Sequence, residues 1–217
     1  MSDPGSRQGH GYATASILDW LDGLHAPHDD ALARAFEAPG RRGMPAIQLG
    51  PSEARLLELL LGLVHAERVL EIGTLAGYSA IRIARALRPP GRLWTIEADP
   101  GHAAVARQSL AAAGVTDRVT VLEGAALGVL PSLEEQGPFD AVFVDADKGN
   151  YDAYGRWAAR NLRTGGLLLG DNAYLFGRLM EASDEAAAMR RFHEEAARAF
   201  ETVCIPTPDG LLLGVKR

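Results

Sequence analysis

From residue 68 onward, short and almost wholly apolar runs alternate with longer stretches of helical periodicity, and few architectures accept that pattern. Runs at 68–72, 92–96, 119–122, 141–144 and 167–169 are separated by helical patterning near 78–87, 101–113 and 151–161. A strand that is apolar on both faces meets water on neither, which is the situation in a parallel sheet covered by helices on both sides. The alternation predicts a doubly wound α/β domain. After a further helix at 185–200, runs at 202–205 and 211–215 flank the turn Pro206-Thr207-Pro208-Asp209-Gly210. So direct a return predicts an antiparallel pair at the sheet edge and brings the expected total to seven strands, most of them parallel.

Ahead of the alternation, 12–66 carries helical spacing only: Ile17, Leu18 and Leu21 form one stripe, and the leucines from Leu56 to Leu63 a broader one. Two or three accessory helices are expected there, forming one globular unit with a main domain at 67–217. The cluster Ala38-Pro39-Gly40-Arg41-Arg42-Gly43-Met44-Pro45 reads as a helix-breaking linker, and Ser52 as the N-cap of the next helix. Residues 1–11 are rich in Gly, Ser and Gln, lack the apolar stretch of a signal peptide, and are expected to form a mobile arm. A chain of 217 residues needs no disulfide or metal to hold its core. Its one cysteine, Cys204, has no internal partner, and no apolar run approaches the roughly 20 residues of a membrane helix. A reducing, cytoplasmic setting without membrane contact is expected. The 28 acidic against 22 basic residues leave a formal charge of −6, which opposes sequence-independent binding to nucleic acid.

In an open parallel sheet, ligands bind beyond the carboxyl ends of the strands, where the strand order reverses. The first run ends in Glu71-Ile72-Gly73-Thr74-Leu75-Ala76-Gly77-Tyr78-Ser79. Gly73 permits a tight turn with a ligand against the backbone, and the Glu71 carboxylate suits an amino or hydroxyl group; the same residues also fit a plain strand-to-helix turn. The dinucleotide spacing G-x-G-x-x-G is missing, so a ligand without a diphosphate is expected. The second run ends in Ile96-Glu97-Ala98-Asp99-Pro100. Glu97, 24 positions after Gly73, stands where nucleotide folds place the acid that accepts from ribose hydroxyls, unless it is a solvated strand end; Asp99 suits the cap of the following helix. Asp145 follows the fourth run, and Asp171 and Asn172 the fifth. Two carboxylates and an amide oxygen at neighbouring strand ends form a hard donor set suited to Mg²⁺. The six histidines show no pair at zinc-ligand spacing and read as surface or packing residues.

The segments VLEIGTLAGYSA, TIEADP, FDAVFVDADKGNYDAY and LRTGGLLLGDN resemble the caffeoyl-CoA O-methyltransferase group, metal-dependent S-adenosylmethionine enzymes that have catechol O-methyltransferase as a more distant relative. The first segment is general to methyltransferases, whereas D-A-D-K-x-x-Y followed by D-N is specific to the group. The likeness extends from about Met44 to the end of the chain and implies a Rossmann-like methyltransferase fold. It implies that Glu71, Gly73, Thr74 and Ser79 lie along the methionine side of S-adenosyl-L-methionine, Glu97 on its ribose, Ala126 by its adenine and Asp147 at its amino acid end. It also implies that Asp145, Asp171 and Asn172 ligate a divalent cation, Mg²⁺ foremost, that Lys148 is the catalytic base, and that the chain forms a homodimer. The sequence departs from the group in two places. The tryptophan common after D-N is replaced by Ala173-Tyr174-Leu175-Phe176-Gly177, so Tyr174 and Phe176 are expected to rebuild the aromatic wall of the acceptor pocket. Ile47-Gln48-Leu49 lacks the usual Ser or Thr and is left outside the expected site.

The function expected from these features is transfer of a methyl group to a hydroxyl of a catechol-like or other phenolic small molecule, assisted by a divalent cation. A free phenol has a pKa near 10, and a cation chelated by two adjacent hydroxyls stabilises the phenolate that must attack. Lys148 would take the proton, unless it only pairs with Asp147. A nicotinamide-dependent dehydrogenase is disfavoured by the missing glycines, and a non-catalytic subunit by the intact Asp145, Lys148, Asp171 and Asn172. Methylation of a non-catechol hydroxyl or an amine is not separated by the sequence.

Overall fold

The computed structural model describes Gly5 and residues 11–217, so the arm expected at the N-terminus lies outside the described residues apart from Gly5 and Gly11. Helix α1 (Ala15–His25) begins at Thr14, whose hydroxyl accepts from Ile17 N. Helix α2 (Asp30–Arg42) is capped by Asp29, which accepts from Leu32 N at 2.9 Å. The break expected from residue 38 does not occur: α2 continues through Pro39 and ends where Gly43 turns left-handed at φ +68°. Leu32, Ala35 and Pro39 share one buried face, so packing of that face outweighs the proline's missing donor and its steric cost. Helix α3 (Pro51–Leu63) is capped by Gly50 and not by Ser52. A proline at the first helical position loses no hydrogen bond, which moves the cap to the residue before it. Glu53 reaches back to accept from Gly50 N at 2.9 Å, and the Ser52 hydroxyl donates to Asp22 instead.

The alternating part follows as β1 (Arg68–Ile72), α4 (Tyr78–Ala86), β2 (Arg92–Glu97), α5 (Pro100–Ala112), β3 (Val119–Glu123), a short α6 (Ala126–Val129), β4 (Phe139–Val144), α7 (Tyr151–Asn161), β5 (Leu162–Gly170), α8 (Asp184–Ala199), β6 (Phe200–Ile205) and β7 (Leu211–Lys216). The seven strands lie in the order β3-β2-β1-β4-β5-β7-β6, with β1 to β5 parallel and β7 antiparallel to both β5 and β6. This is the expected fold, with β6 as the outer edge. Strand β5 starts well before 167, because Phe139 pairs with Leu162 across a register shift, although Arg163-Thr164-Gly165-Gly166 carries no apolar signal.

Alternate strand residues serve two cores. Val69, Ala141, Phe143, Leu167 and Leu169 face Leu32, Ala35, Leu57 and Leu61 of α2 and α3, while Leu70, Val142, Val144 and Leu168 face Trp157 of α7 and Met189 and Phe192 of α8. The accessory helices therefore complete one face of the sheet. Each such large apolar side chain contributes about 1.5–3 kcal/mol on burial. Because the chain leaves β1 toward β2 and β3 and then returns to the other side of β1 with β4, the loops after β1 and β4 diverge and open a crevice at their carboxyl ends.

Candidate active site

Beyond β1 the chain turns at Gly73, at φ +100°. A Cβ there would lie 1.9 Å from the Asp145 carbonyl oxygen, so only glycine lets this turn press against the end of β4. Gly73 N donates to Ile96 O at 3.0 Å and Asp145 N to Ile72 O at 2.8 Å, which locks the three strand ends together. Glu71, within β1, is wholly buried. Its Oε2 accepts from Thr95 Oγ1 at 2.6 Å, whereas Oε1 is buried without a partner. Burial pushes its pKa up to about 8, against hydrogen bonds from Ser79 and Thr95 that pull it down.

Glu97 closes β2 and is not a solvated strand end. Its Oε2 accepts from Leu75 N at 2.7 Å and Thr74 N at 3.2 Å, its Oε1 from Asp99 N at 3.0 Å, and His102 Nδ1 stands 3.7 Å from Oε1. A carboxylate offers about four acceptor positions, so one remains for a ligand. Asp99 caps α5 as expected, accepting from Gly101 N at 2.7 Å and His102 N at 3.0 Å.

The segment after β4 delivers the remaining polar groups. Lys148 Nζ donates to Asp145 Oδ1 at 3.1 Å and to Tyr151 OH at 2.8 Å. It thus pairs with Asp145 and not with Asp147, which accepts from Tyr154 OH at 2.5 Å and from Asn150 Nδ2 at 2.5 Å. The register of Val144 opposite Gly170 sets Asp145 beside Asp171, whose N donates to Val144 O at 2.9 Å. Asp171 is buried, and burial first and the Asp145 charge second raise its pKa. It lines a narrow crevice with Leu49, Glu53 and Thr207, while Asn172, in the left-handed region at φ +52° that asparagine tolerates, lines the main cavity. Among the described residues no three His, Cys, Asp or Glu side chains are grouped to hold a metal ion. The donor set at this rim is two carboxylates and the Asn172 amide.

These elements enclose a cavity of about 760 Å³ lined by Gly73, Thr74, Ser79, Glu97, Ala126, Asp145, Asp147, Lys148 and Asn172. Of the residues expected to hold the cofactor or the metal, Glu71 and Asp171 are not among those lining it. Gln48 also lines it, which corrects the exclusion of 47–49: its Nε2 donates to Phe36 O at 2.9 Å and its Oε1 is buried without a partner. His102 likewise faces the cavity and is more than a surface residue. His28 does pack as expected, Nε2 lying 2.7 Å from the hydroxyl of Tyr78 in the cavity wall. Tyr151 and Tyr154 were not expected, though the three-residue spacing from Lys148 through Tyr151 to Tyr154 is the available signal. The aromatic wall is corrected as well. Phe176 lines the cavity, but the Tyr174 ring lies against Gly210, held by Tyr174 N donating to Asp209 O at 2.9 Å.

The O-methyltransferase family matches residues 26–217. This chain belongs to that family. The O-methyltransferase is 43% identical over 183 residues to a catechol O-methyltransferase of Niastella koreensis, covering 82% of this chain and 83% of that protein. It is 46% identical over 170 residues to a catechol O-methyltransferase of Mycobacterium tuberculosis, covering 78% and 77%. The O-methyltransferase TomG of Streptomyces achromogenes, involved in tomaymycin synthesis and solved in complex with SAM, matches with a TM-score of 0.89 at 37% identity over 93% of this chain and 96% of TomG. The class expected from the motifs, an S-adenosylmethionine-dependent O-methyltransferase of Rossmann-like fold, is met. No helix among the described residues is long and apolar enough to cross a membrane.

Proposed function

We propose that this O-methyltransferase seats S-adenosyl-L-methionine in the 760 Å³ cavity and, with a divalent cation at Asp145, Asp171 and Asn172, methylates a hydroxyl of a catechol-like phenolic small molecule. The observation that carries the reading is the pairing of Asp145 with the buried Asp171 at one rim, next to Lys148 in the cavity wall. A cation fits there. Burial and the neighbouring charge disfavour the ionised Asp171, and a double positive charge offsets both effects, with Mg²⁺ favoured by the all-oxygen donors. The cofactor fits as well, since the unpartnered Oε1 of Gln48 and the Asp147 carboxylate, both in residues of the cavity wall, suit an ammonium group.

When bound, the sulfonium supplies the methyl group and the cation supplies the acidity that favours phenolate near neutral pH. The chain's own residues do the rest. Glu97 accepts from a ribose hydroxyl at its remaining acceptor position, Gly73, Thr74 and Ser79 border the methionine arm, and Ala126 leaves room for the adenine. Lys148 Nζ takes the acceptor's proton. Pro45, Ile47, Leu49 and Phe176 give the cavity an apolar side against which an aromatic acceptor would pack. The two catechol O-methyltransferase relatives support the choice of acceptor. We further place the enzyme in the cytoplasm, acting on a small molecule with no nucleic acid partner, as a homodimer. The dimer is supported by α1, which buries none of its residues and leaves Ile17, Trp20 and Leu24 exposed.

An acceptor screen with labelled S-adenosylmethionine tests the reading, offering catechol, a monophenol and an aliphatic amine with and without Mg²⁺. Metal-dependent label in catechol is the expected result. Label in the amine alone, or equal transfer to catechol in excess chelator, would overturn it.

A further inference from the structure

We infer that Tyr151 is a positioning residue for methyl transfer: its hydroxyl, together with the Asp145 carboxylate, holds Lys148 Nζ so that one direction of the amine is left for the acceptor's proton. The inference rests on Lys148 being the proton acceptor. Tyr151 OH has a single hydrogen, and Val144 O lies 3.2 Å away to receive it. Toward Lys148, at 2.8 Å, the hydroxyl therefore presents a lone pair and accepts. Around the tetrahedral Nζ, one position is the bond to Cε, one N–H is given to Tyr151 and one to Asp145 Oδ1 at 3.1 Å. Only the fourth position is uncommitted, on a side chain that lines the cavity.

The tyrosine itself has no freedom to drift. It is fully buried at the first position of α7, its ring meets Phe192 edge-on with centroids 5.4 Å apart, and Nζ stands 4.7 Å from its own ring centroid. Its hydroxyl has Val144 O within reach at 3.2 Å, which fixes the direction of its hydrogen. As the acceptor oxygen loses its proton to the fourth position of Nζ, it retains the O–H electron pair. That oxygen bonds the methyl carbon as the carbon–sulfur pair leaves with sulfur, giving an ether, a thioether and the lysine ammonium. A lysine free to swing would spend most of its time aimed elsewhere, and small misplacements of a reacting group carry large rate costs.

Tyr151→Phe keeps the ring and its packing and removes only the hydroxyl. In the full chain with S-adenosylmethionine, Mg²⁺ and catechol, kcat is expected to fall about 10- to 100-fold. KM for catechol and the affinity for S-adenosylhomocysteine should change by less than about twofold, which separates positioning from a general loss of structure. In a Lys148→Met background the same substitution should cost nothing further. Phe192→Leu, which loosens the ring but spares the hydroxyl, is a second variant and should give a smaller kcat loss with the same dependence on Lys148. Wild-type kcat in Tyr151→Phe beside a slow Lys148→Met overturns the positioning role and leaves the base standing. Equal losses in both backgrounds reduce Tyr151 to packing, and wild-type turnover in Lys148→Met overturns both readings.

Discussion

Replacing Glu97 with alanine takes an acceptor from three backbone amides at once. Leu75 N and Asp99 N are only partly buried and can turn to water, but Thr74 N is buried and is left unpaired. An unsatisfied buried donor costs about 1–3 kcal/mol, and at about 2–4 °C per kcal/mol for a domain of this size the thermal midpoint should fall by roughly 3–10 °C. Cofactor binding suffers separately. Loss of a charge-assisted pair to a ribose hydroxyl removes about 1.5–3 kcal/mol, or about 10- to 100-fold in affinity. Glu97→Gln should sit between wild type and alanine, because its single oxygen can serve either the Thr74 and Leu75 amides or the Asp99 amide while its NH₂ faces a donor on the other side. Titration calorimetry with S-adenosylhomocysteine and differential scanning calorimetry report the two effects independently. A lowered midpoint with unchanged affinity would make Glu97 a structural tie and nothing more; an unchanged midpoint would refute the argument from the three amides.

Excess chelator should abolish turnover and Mg²⁺ should restore it, while S-adenosylhomocysteine affinity stays within about twofold; full activity in chelator would sink the metal reading. Glu71 holds its proton up to a pKa of about 8 in the folded chain against the usual 4.5, so the stability it contributes is complete below about pH 4.5 and is lost as pH rises through about 8. Urea midpoints of wild type should therefore decline relative to Glu71→Gln between pH 5 and pH 8, by up to about 1 kcal/mol per pH unit, and parallel curves would mean that Glu71 is ionised throughout. Light scattering at micromolar concentration should give the mass of two chains, and Trp20→Glu on the exposed face of α1 should shift it toward one; a monomer mass for wild type would refute the dimer.

Much of the site was legible because apolar runs mark their own ends. Once Ile72, Ile96, Val144 and Leu169 are read as the last apolar positions of parallel strands, the polar residues at their ends must share one rim, and of the residues expected to hold the cofactor or the metal all but Glu71 and Asp171 line one cavity. What escaped was set by packing. Pro39 looks like a stop, yet its ring completes the buried face of α2. Arg163-Thr164-Gly165-Gly166 looks like a turn, yet it lies inside β5, whose first residue Leu162 already pairs with Phe139 of β4. Tyr174 and Phe176 are equivalent as letters, and only the Asp209-Gly210 turn, pulling Tyr174 toward Gly210 while Asp209 Oδ1 accepts from Phe176 N at 2.8 Å, decides which of them reaches the cavity.

The same logic explains why the proposed methyl donor and proton acceptor cannot be tuned independently in this chain. Gly73, at the start of the turn after β1, rests its Cα on the carbonyl of Asp145, and Asp145 carries both a proposed metal oxygen and the hydrogen bond from Lys148. Thr74 and Leu75, the next two residues of that turn, are tied to Glu97 at the end of β2. A shift of the turn therefore moves Gly73 and Thr74, Glu97 and the Asp145 anchor of Lys148 together. With distances of 2.7 to 3.2 Å holding each tie, the strand ends form one rigid frame, and variation in acceptor is left to the groups outside it, Ile47, Leu49 and Phe176.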